Sequence, residues 1–514
     1  MQTKLYRNKI IVTDISNPER LQLRRTALNF TTKDGDIILE DNIFNRVLLS
    51  LDYSEILRDI SHFDTEINKK ARPYQKCDIS HILDLKFSFN INKPGYGKTF
   101  ESIEYCRLKG LKRILVICPK SVVNQWAEQF RLWWPEVDQI LEVGGAGPEN
   151  REKIIYITNY EQMLRPQVWQ RCKMFLWDVI IVDESHRIKS AKSKTTMLIK
   201  QLPALRKMCL SGTPILNRPD DLWSQLNFLS PKISGNSYWA FVDKFCEVEE
   251  NNFGRKPIGL TPSGSAQELL TKVLNIISVG GENHKVTGGK NFIPIELEMN
   301  TAQRKLYKDI VNLSLDNLEQ EGVTVKNAMD QIIKQQQCTT NPDGLLENKK
   351  IGNPKFEWLV DWLEDNENEK IVVYSKFAKT VKALHNYLRN KGIKSVYYIG
   401  EMSSQERSSA KSSFVQPSGD TRVLIGTIGA LGTGVDGLQH VCRNVIFLDR
   451  DWTPGLNEQA EDRVNRSGQI GMTNIWILNM KNTIDEYVEQ LQGKKAEDIM
   501  EVFKNVSVSF RSGK

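Results

Sequence analysis

The chain has 514 residues, enough for three or four domains, with the composition of an ordinary soluble protein and a formal charge of +7 that permits nucleic acid as a partner without demanding it. Its eight cysteines form no Cys-x-x-Cys pair, which argues against a zinc ribbon or a disulfide framework. No apolar stretch approaches a membrane span, and Lys4, Arg7 and Lys9 interrupt any signal-peptide core, so the expected setting is the inside of a cell, with a monomer favoured.

Residues 1 to about 70 carry β-like pieces at Lys9–Val12 and Ile37–Leu39, a turn at Lys33–Asp36, and a predicted helix over Phe44 to Ile60. From about 71 to 230 strand and helix patterns alternate. Strands are predicted at Arg113–Cys118, Ile154–Ile157, Val179–Val182 and Lys207–Leu210, which argues a parallel sheet with helices on both faces. Residues 231–350 read as helices and polar loops. Within them Glu249–Gly264 reads as a loop, Gly280-Gly281 and Gly288-Gly289 as a flexible stretch, and Thr301–Gln337 as helix. From 351 the alternation returns, with strands at Ile371–Tyr374, Val396–Ile399, Arg422–Ile425 and Asn444–Leu448. The chain thus reads as two similar α/β lobes.

Only the first lobe carries a phosphate loop, Gly95-Tyr96-Gly97-Lys98-Thr99. The glycines let backbone approach phosphate, Lys98 can reach the β- and γ-phosphates, Thr99 suits Mg²⁺, and the predicted helix Phe100–Leu108 offers its N-terminus to an anion. Asn92 stands where the first glycine of such loops is usual. Asp183-Glu184-Ser185-His186 follows the apolar run Val179–Val182. Acids at the carboxyl end of a buried parallel strand face the ligand crevice of an α/β sheet. Paired with the phosphate loop, Asp183 suits Mg²⁺ and Glu184 suits activation of water. In the second lobe, Gln459, Arg463 and Arg466 fall on one face of a helix predicted to run to Gly468, where two guanidiniums can clamp a transferring phosphoryl group. Gly432-Thr433-Gly434-Val435-Asp436 precedes them.

In this order the motifs resemble the superfamily 2 helicases, and within them the Snf2-like group, over residues 71–492. Arg72-Pro73-Tyr74-Gln75 resembles the adenine motif, Asn92–Thr99 the first motif, Pro119–Trp126 and Asn159-Tyr160 the strand-end loops that touch nucleic-acid backbone, and Ser211–Ile215 the coupling motif. Asn217–Pro231, Thr301–Tyr307 and Asp451-Trp452-Thr453-Pro454 add Snf2-like stretches. The pattern departs in three places: no arginine pair stands near Ile276-Ile277, no arginine follows Thr427, and Asn465 stands where histidine is common. Phe241–Leu270, with Phe245-Cys246, Gly254 and Gly264-Ser265, resembles the fork-remodelling, annealing-helicase branch, and the small size resembles phage-encoded helicases that migrate DNA branches.

The resemblance implies an α/β fold of two tandem RecA-like lobes: a small α+β N-terminal domain (1–70), lobe one (71–230), a helical insertion (231–350) and lobe two (351–514). It implies ATP at Gln75, Gly95, Tyr96, Gly97, Lys98, Thr99, Gly434 and Asp436, with Mg²⁺ on Thr99 and Asp183. Lys98, Asp183, Glu184, Arg463 and Arg466 carry catalysis, while His186, Ser211, Thr213 and Gln459 couple it to movement. DNA contacts fall to Pro119, Lys120, Ser121, Trp126, Asn159, Tyr160, Ser375, Lys376 and Thr427. The expected activity is ATP-driven translocation on, or unwinding of, branched DNA, in a host cytoplasm if the chain is phage-encoded, with residues 1–70 either selecting the branch or packing on lobe one. The alternatives are a duplex translocase that displaces bound proteins, a catalytically silent DNA-binding scaffold and an RNA helicase.

Overall fold

The apolar runs of the first lobe become the strands of a seven-stranded, wholly parallel sheet. The computed structural model describes residues 1–6, 8–33, 36–59, 66–149, 151–215, 218–251, 254–280, 289–313, 323, 327–346, 350–416, 419–432, 435–466, 468–469 and 471–503. The chain divides into two compact units, residues 1–284 with 495–514, and residues 285–494.

The first unit opens with β1 (Gln2–Tyr6), β2 (Lys9–Thr13), β3 (Phe30–Lys33) and β4 (Asp36–Glu40), an antiparallel sheet in the order β1-β2-β4-β3. Alternation along β2 and β4 buries Ile10, Val12, Ile37 and Leu39 with Leu23 of the helix Asn17–Thr26 and Ala27 that follows it, a small core of its own. Asp34 and Gly35, expected in a turn, lie outside the described residues. The helix expected over 44–60 is broken. Ile43–Leu48 and Ser54–Leu57 are separate helices; Ser50 between them is left-handed (φ 53°), and Asp52 accepts hydrogen bonds from the Ser54 amide and hydroxyl at 2.8 Å. Ile60 lies outside the described residues.

The large sheet runs β13-β5-β10-β9-β6-β8-β7, with β5 at Phe87–Asn90, β6 at Arg113–Cys118, β7 at Leu141–Val143, β8 at Ile154–Asn159, β9 at Trp177–Asp183, β10 at Ala204–Leu210 and β13 at Ser278–Val279. Ile114, Val116 and Cys118 enter the core on one face, Leu115 and Ile117 that on the other. Burial on both faces is why these strands read as unbroken apolar runs. Register aligns Asn90, Leu210 and Asp183 across β5, β10 and β9, so the turns leaving them open on one edge.

Three expectations for residues 231–350 are corrected. Glu249–Gly264 is not a loop: β11 (Cys246–Asn251) and β12 (Gly254–Leu260) form an antiparallel ribbon whose register shifts at Glu247/Val248, where Pro257 cannot donate to the ladder. The stretch is also no helical block of its own. β13 completes the first sheet beside β5, whereas β14 (Lys290–Leu297) joins the second sheet. Gly280 is left-handed, and 281–288, including Gly281 and Gly288, lie outside the described residues. The helical stretch expected over 301–337 is interrupted: the helix Thr301–Asn312 ends at the left-handed Leu313, and a further helix, Ala328–Thr340, is capped by Asn327.

The second unit holds a six-stranded parallel sheet in the order β14-β19-β18-β15-β17-β16, with β15 at Ile371–Ser375, β16 at Ser395–Tyr398, β17 at Val423–Thr427, β18 at Asn444–Phe447 and β19 at Thr473–Met480. Ile371 and Val373 face one core, Val372 and Tyr374 the other. Each unit therefore contains one helix-flanked parallel sheet, as the two-lobe reading requires. Among the described residues no helix is long and apolar enough to cross a membrane. All eight cysteines are free thiols.

Candidate active site

The phosphate loop leaves β5 and enters the helix Lys98–Leu108 through Gly95 (φ 82°) and Gly97 (φ 94°), left-handed positions where glycine is unstrained. A Cβ on Gly97 would collide with Gln75 Nε2. That amide is engaged at both ends: Nε2 donates to the Tyr96 carbonyl (3.1 Å) and Oε1 accepts from the Arg72 amide (2.9 Å). The Tyr74 hydroxyl donates to the same carbonyl at 2.7 Å, so the adenine-motif residues brace the loop. Lys98 Nζ donates to the Asn92 carbonyl (2.7 Å), and Thr99 stands half-buried on the first helical turn.

The departure at Asn92 has a structural reason. Its Nδ2 donates to Asp78 (2.7 Å) and Glu101 (3.1 Å), and Asn90 Nδ2 also donates to Glu101 at 2.5 Å. Glu101 is fully buried; burial, then the charge of Asp78, pushes its carboxyl well above the usual range. Asn92 thus supplies the donor this acidic floor needs.

Asp183 ends β9. Its Oδ2 accepts from Trp126 Nε1 (2.8 Å) and its Oδ1 from the Glu184 amide (2.9 Å). Burial, then the charge of Glu184, pushes Asp183 up to about 6. Glu184 is left-handed (φ 51°, ψ 54°), and its Oε2 is buried without a hydrogen-bond partner, 3.4 Å from His186 Nδ1. A strained acid beside a buried, poorly compensated carboxylate fits a divalent cation and an activated water. Among the described residues no cluster of three or more His, Cys, Asp or Glu could by itself hold a metal. Mg²⁺ takes one or two carboxylates and completes its shell with phosphate and water oxygens, and the Asp183 carboxylate with the Thr99 hydroxyl is a donor set of that kind.

Burial pushes His186 down to about 3, so the ring is neutral; its Nδ1 lies 3.2 Å from Ser211 Oγ, the hydrogen's owner depending on the tautomer. Ser211 Oγ accepts from the Thr213 amide, and its own amide donates to the Asn90 carbonyl at 3.0 Å. A Cβ on Gly212 would stand 2.5 Å from Pro94 Cδ, so this turn lies against the phosphate loop. Gln225 was missed by the sequence reading. It accepts from Ser185 Oγ (2.6 Å) and donates to the Pro214 carbonyl (2.6 Å), joining the two turns. A glutamine set among Leu222, Trp223, Leu226, Phe228 and Leu229 was the available signal.

Of the residues expected to touch DNA here, Lys120 and Ser121 are exposed on the turn after the buried Pro119. Asn159 instead accepts from the Gln162 amide at 2.9 Å. Trp126 and Tyr160 are corrected. Both are buried, and both grip the acidic pair: Trp126 holds the Asp183 carboxylate, while the Tyr160 hydroxyl donates to the Asp183 carbonyl at 2.5 Å.

In the second unit the expected helix through Gln459 stops at Glu461. At its end Glu461 and Asp462 turn to Lys290 Nζ (2.9 and 2.7 Å), and just beyond it Arg463 Nε donates to the Gly432 carbonyl at 2.7 Å. The arginines still converge, now on Asp436: Arg466 Nη1 is ion-paired with it, and Arg463 Nη1 lies 3.8 Å from the same oxygen. Gln459 is buried and Gly434 lies outside the described residues. Ser375 is also corrected, because it is buried and its hydroxyl donates to Asp449 (2.6 Å). The Lys376 amide bonds the same carboxylate at 2.6 Å, and Asp449 is pushed up to about 6 by burial. Thr427 is half-buried at the end of β17.

Residues 60–344 match the SNF2-related domain family, and residues 354–468 match the helicase conserved C-terminal domain. Similar curated proteins include the human SWI/SNF-related matrix-associated actin-dependent regulator of chromatin subfamily A member 1, at 25% identity over 81% of this chain and 42% of its own length. The Arabidopsis thaliana probable ATP-dependent DNA helicase CHR12 is 27% identical over 82% of this chain and 40% of its own length. The chain therefore spans well under half the length of these relatives. A solved structure, the Sulfolobus solfataricus SWI2/SNF2 ATPase core in complex with dsDNA, is similar at 24% identity and a TM-score of 0.39, covering 86% of this chain and 94% of that one.

Proposed function

The chain belongs to the SNF2-related family, and from that premise we propose that it is a DNA-dependent ATPase, an ATP-driven translocase or helicase acting on branched DNA such as forks and four-way junctions in replication, recombination or repair. One observation carries the ATPase reading. A phosphate loop with two left-handed glycines and an acidic strand end with a left-handed Glu184 open from one edge of one parallel sheet. Lys98 and the helix N-terminus hold the β- and γ-phosphates, and Gln75 lies with the adenine. Asp183 and Thr99 hold Mg²⁺, which supplies positive charge to the phosphoryl oxygens when bound. Glu184 orients water and accepts its proton, and Arg463 and Arg466 offset the charge that develops on the γ-phosphate. His186, Ser211, Thr213 and Gln459 pass the change to the rest of the motor.

DNA contacts through Lys120, Ser121, Lys376 and Thr427 fall on the backbone and give little base preference. The strands of residues 1–40 select branch geometry. The chain works inside the cell, in the host cytoplasm if it comes from a phage. The names of the relatives support a second reading, a duplex translocase that displaces bound proteins without separating strands. ATPase and strand-displacement assays on single-stranded, duplex, forked and four-way DNA, with RNA as control, test both. Fork-dependent strand separation supports the first reading. Duplex-stimulated ATPase with no displacement on any substrate supports the second, and absence of ATPase defeats both in favour of a silent scaffold.

A further inference from the structure

Two aromatic side chains stand between exposed turns and the acidic pair. Trp126 is 1% exposed in the helix Val123–Trp133, which begins directly after the turn Lys120–Val122. Its indole N–H takes Asp183 Oδ2, and the Glu184 amide takes Oδ1. An ionised carboxylate offers about four lone-pair sites, so the carboxylate plane is fixed while oxygen lone pairs remain for a cation. Tyr160 follows Asn159, the last residue of β8, and precedes the exposed turn that starts at Glu161. Its hydroxyl donates to the Asp183 carbonyl and lies 3.3 Å from that of Glu184. The Arg187 guanidinium lies 4.9 Å from the centre of the Tyr160 ring.

Glu184 needs such support. A non-glycine residue in the left-handed region is strained by about 1–2 kcal/mol and persists only where its surroundings over-determine it. Tyr160 bonds the carbonyl on one side of that residue and approaches the other.

Granting that Asp183 and Glu184 are the hydrolytic pair, we infer that Trp126 and Tyr160 are positioning residues that transmit DNA contact at the turns 119–122 and 161–165 to those two acids. Each turn is one buried hydrogen bond away from the pair. A backbone phosphate that shifts Lys120 and Ser121 moves the start of the Trp126 helix, and one that shifts the turn at 161 moves Tyr160. DNA thereby sets the Asp183 carboxylate plane and the Glu184 backbone without touching either.

Trp126→Phe and Tyr160→Phe in the full chain keep the rings and delete only the polar hydrogen. Tyr160→Phe is expected to lower DNA-stimulated turnover about tenfold, the scale of one lost buried hydrogen bond, while ATP and DNA affinities stay within about twofold. Trp126→Phe is expected to raise, several-fold, the Mg²⁺ concentration that half-saturates binding of a fluorescent ATP analogue, measured without turnover. If both variants keep wild-type stimulation and Mg²⁺ dependence, the inference is overturned. It is equally overturned if basal and DNA-stimulated turnover fall by the same factor together with the melting temperature, because that is structural damage alone. Glu184→Gln separates the premise from the inference. Undiminished hydrolysis there removes the hydrolytic reading itself, whereas an inactive Glu184→Gln beside unaffected Phe variants removes only the coupling.

Discussion

His186 Nδ1 lies 3.2 Å from Ser211 Oγ, so one imidazole ties the turn after β9 to the turn after its neighbour β10. Because burial holds the ring near 3, it stays neutral through the physiological range and acts as a fixed hydrogen-bonding latch.

A pH dependence of stability follows. The unfolded chain binds a proton on this histidine below about 6.5, and the native state refuses it until about 3, so stability falls as pH drops through that window. Between pH 7 and pH 5 this single group removes about 2 kcal/mol. Guanidinium unfolding at both pH values should show the loss in the wild type and a loss smaller by that amount in His186→Gln. Equal losses would show that the ring is protonated when folded.

Glu184→Gln should bind ATP and DNA and stop hydrolysis, because the amide keeps the shape but cannot take the proton. General-base catalysis is worth roughly 10²–10⁴-fold, so a steady-state fall of less than about tenfold would remove Glu184 from that role. Lys98→Ala should abolish turnover with DNA binding largely intact, and near-normal ATPase in it would sink the phosphate-loop assignment.

Arg466→Ala should lower turnover by about 10³–10⁵-fold and ATP affinity far less, the signature of a charge acting on the transition state. Arg463→Ala should share that loss and also lower the melting temperature, because its buried guanidinium bonds the Gly432 carbonyl. Single-turnover rates, nucleotide affinity and thermal scans on both variants separate the roles. A pure affinity loss at unchanged saturating turnover would contradict them.

Strands β6, β8, β9 and β10 and strands β15 to β18 were legible in the sequence because they are written as apolar runs, and the acids at 183–184 because they stop one such run; β5, β7, β13, β14 and β19, short or half-exposed, were not. Gly97 was legible as a phosphate-loop glycine, but its left-handed backbone is a finding of the structure. The fates of Trp126, Tyr160 and Ser375 were not. Sequence places a residue beside a strand end but does not say whether its side chain turns to solvent or back under the neighbouring strand. The ribbon at 246–260 was hidden by its prolines and glycines, which signal turns even where backbone pairing overrides them. The early end of the 454–461 helix was hidden because Lys290, its partner, lies far away in the chain.

The last prediction concerns how far the N-terminal region can be separated. Its four strands have their own core, but the helices after them belong to the core of the first unit. Phe44 is fully buried, its ring 4.9 Å from that of Phe245 and 6.1 Å from that of Phe241. Asp59 pairs with Arg206 (2.5 Å) and Lys109 (3.3 Å), and the Lys86 amide donates to the Leu57 carbonyl. A chain starting at Asn68 exposes that apolar surface and leaves two cations without their carboxylate, so it should unfold at a markedly lower denaturant concentration or aggregate. Phe44→Ala should by itself cost about 3–5 kcal/mol. A chain starting at Asp41 keeps Phe44, Asp59 and the Arg46–Asp41 pair (2.6 Å) and loses the strands with the helix Asn17–Thr26, Leu28 of the first unit's core and Glu40, whose carboxylate accepts from the Asn236 amide at 3.0 Å. It should retain DNA-stimulated ATPase and lose preference for forks and four-way junctions. Preserved branch preference there, or Phe44→Ala as stable as the wild type, would show that the region is divided elsewhere.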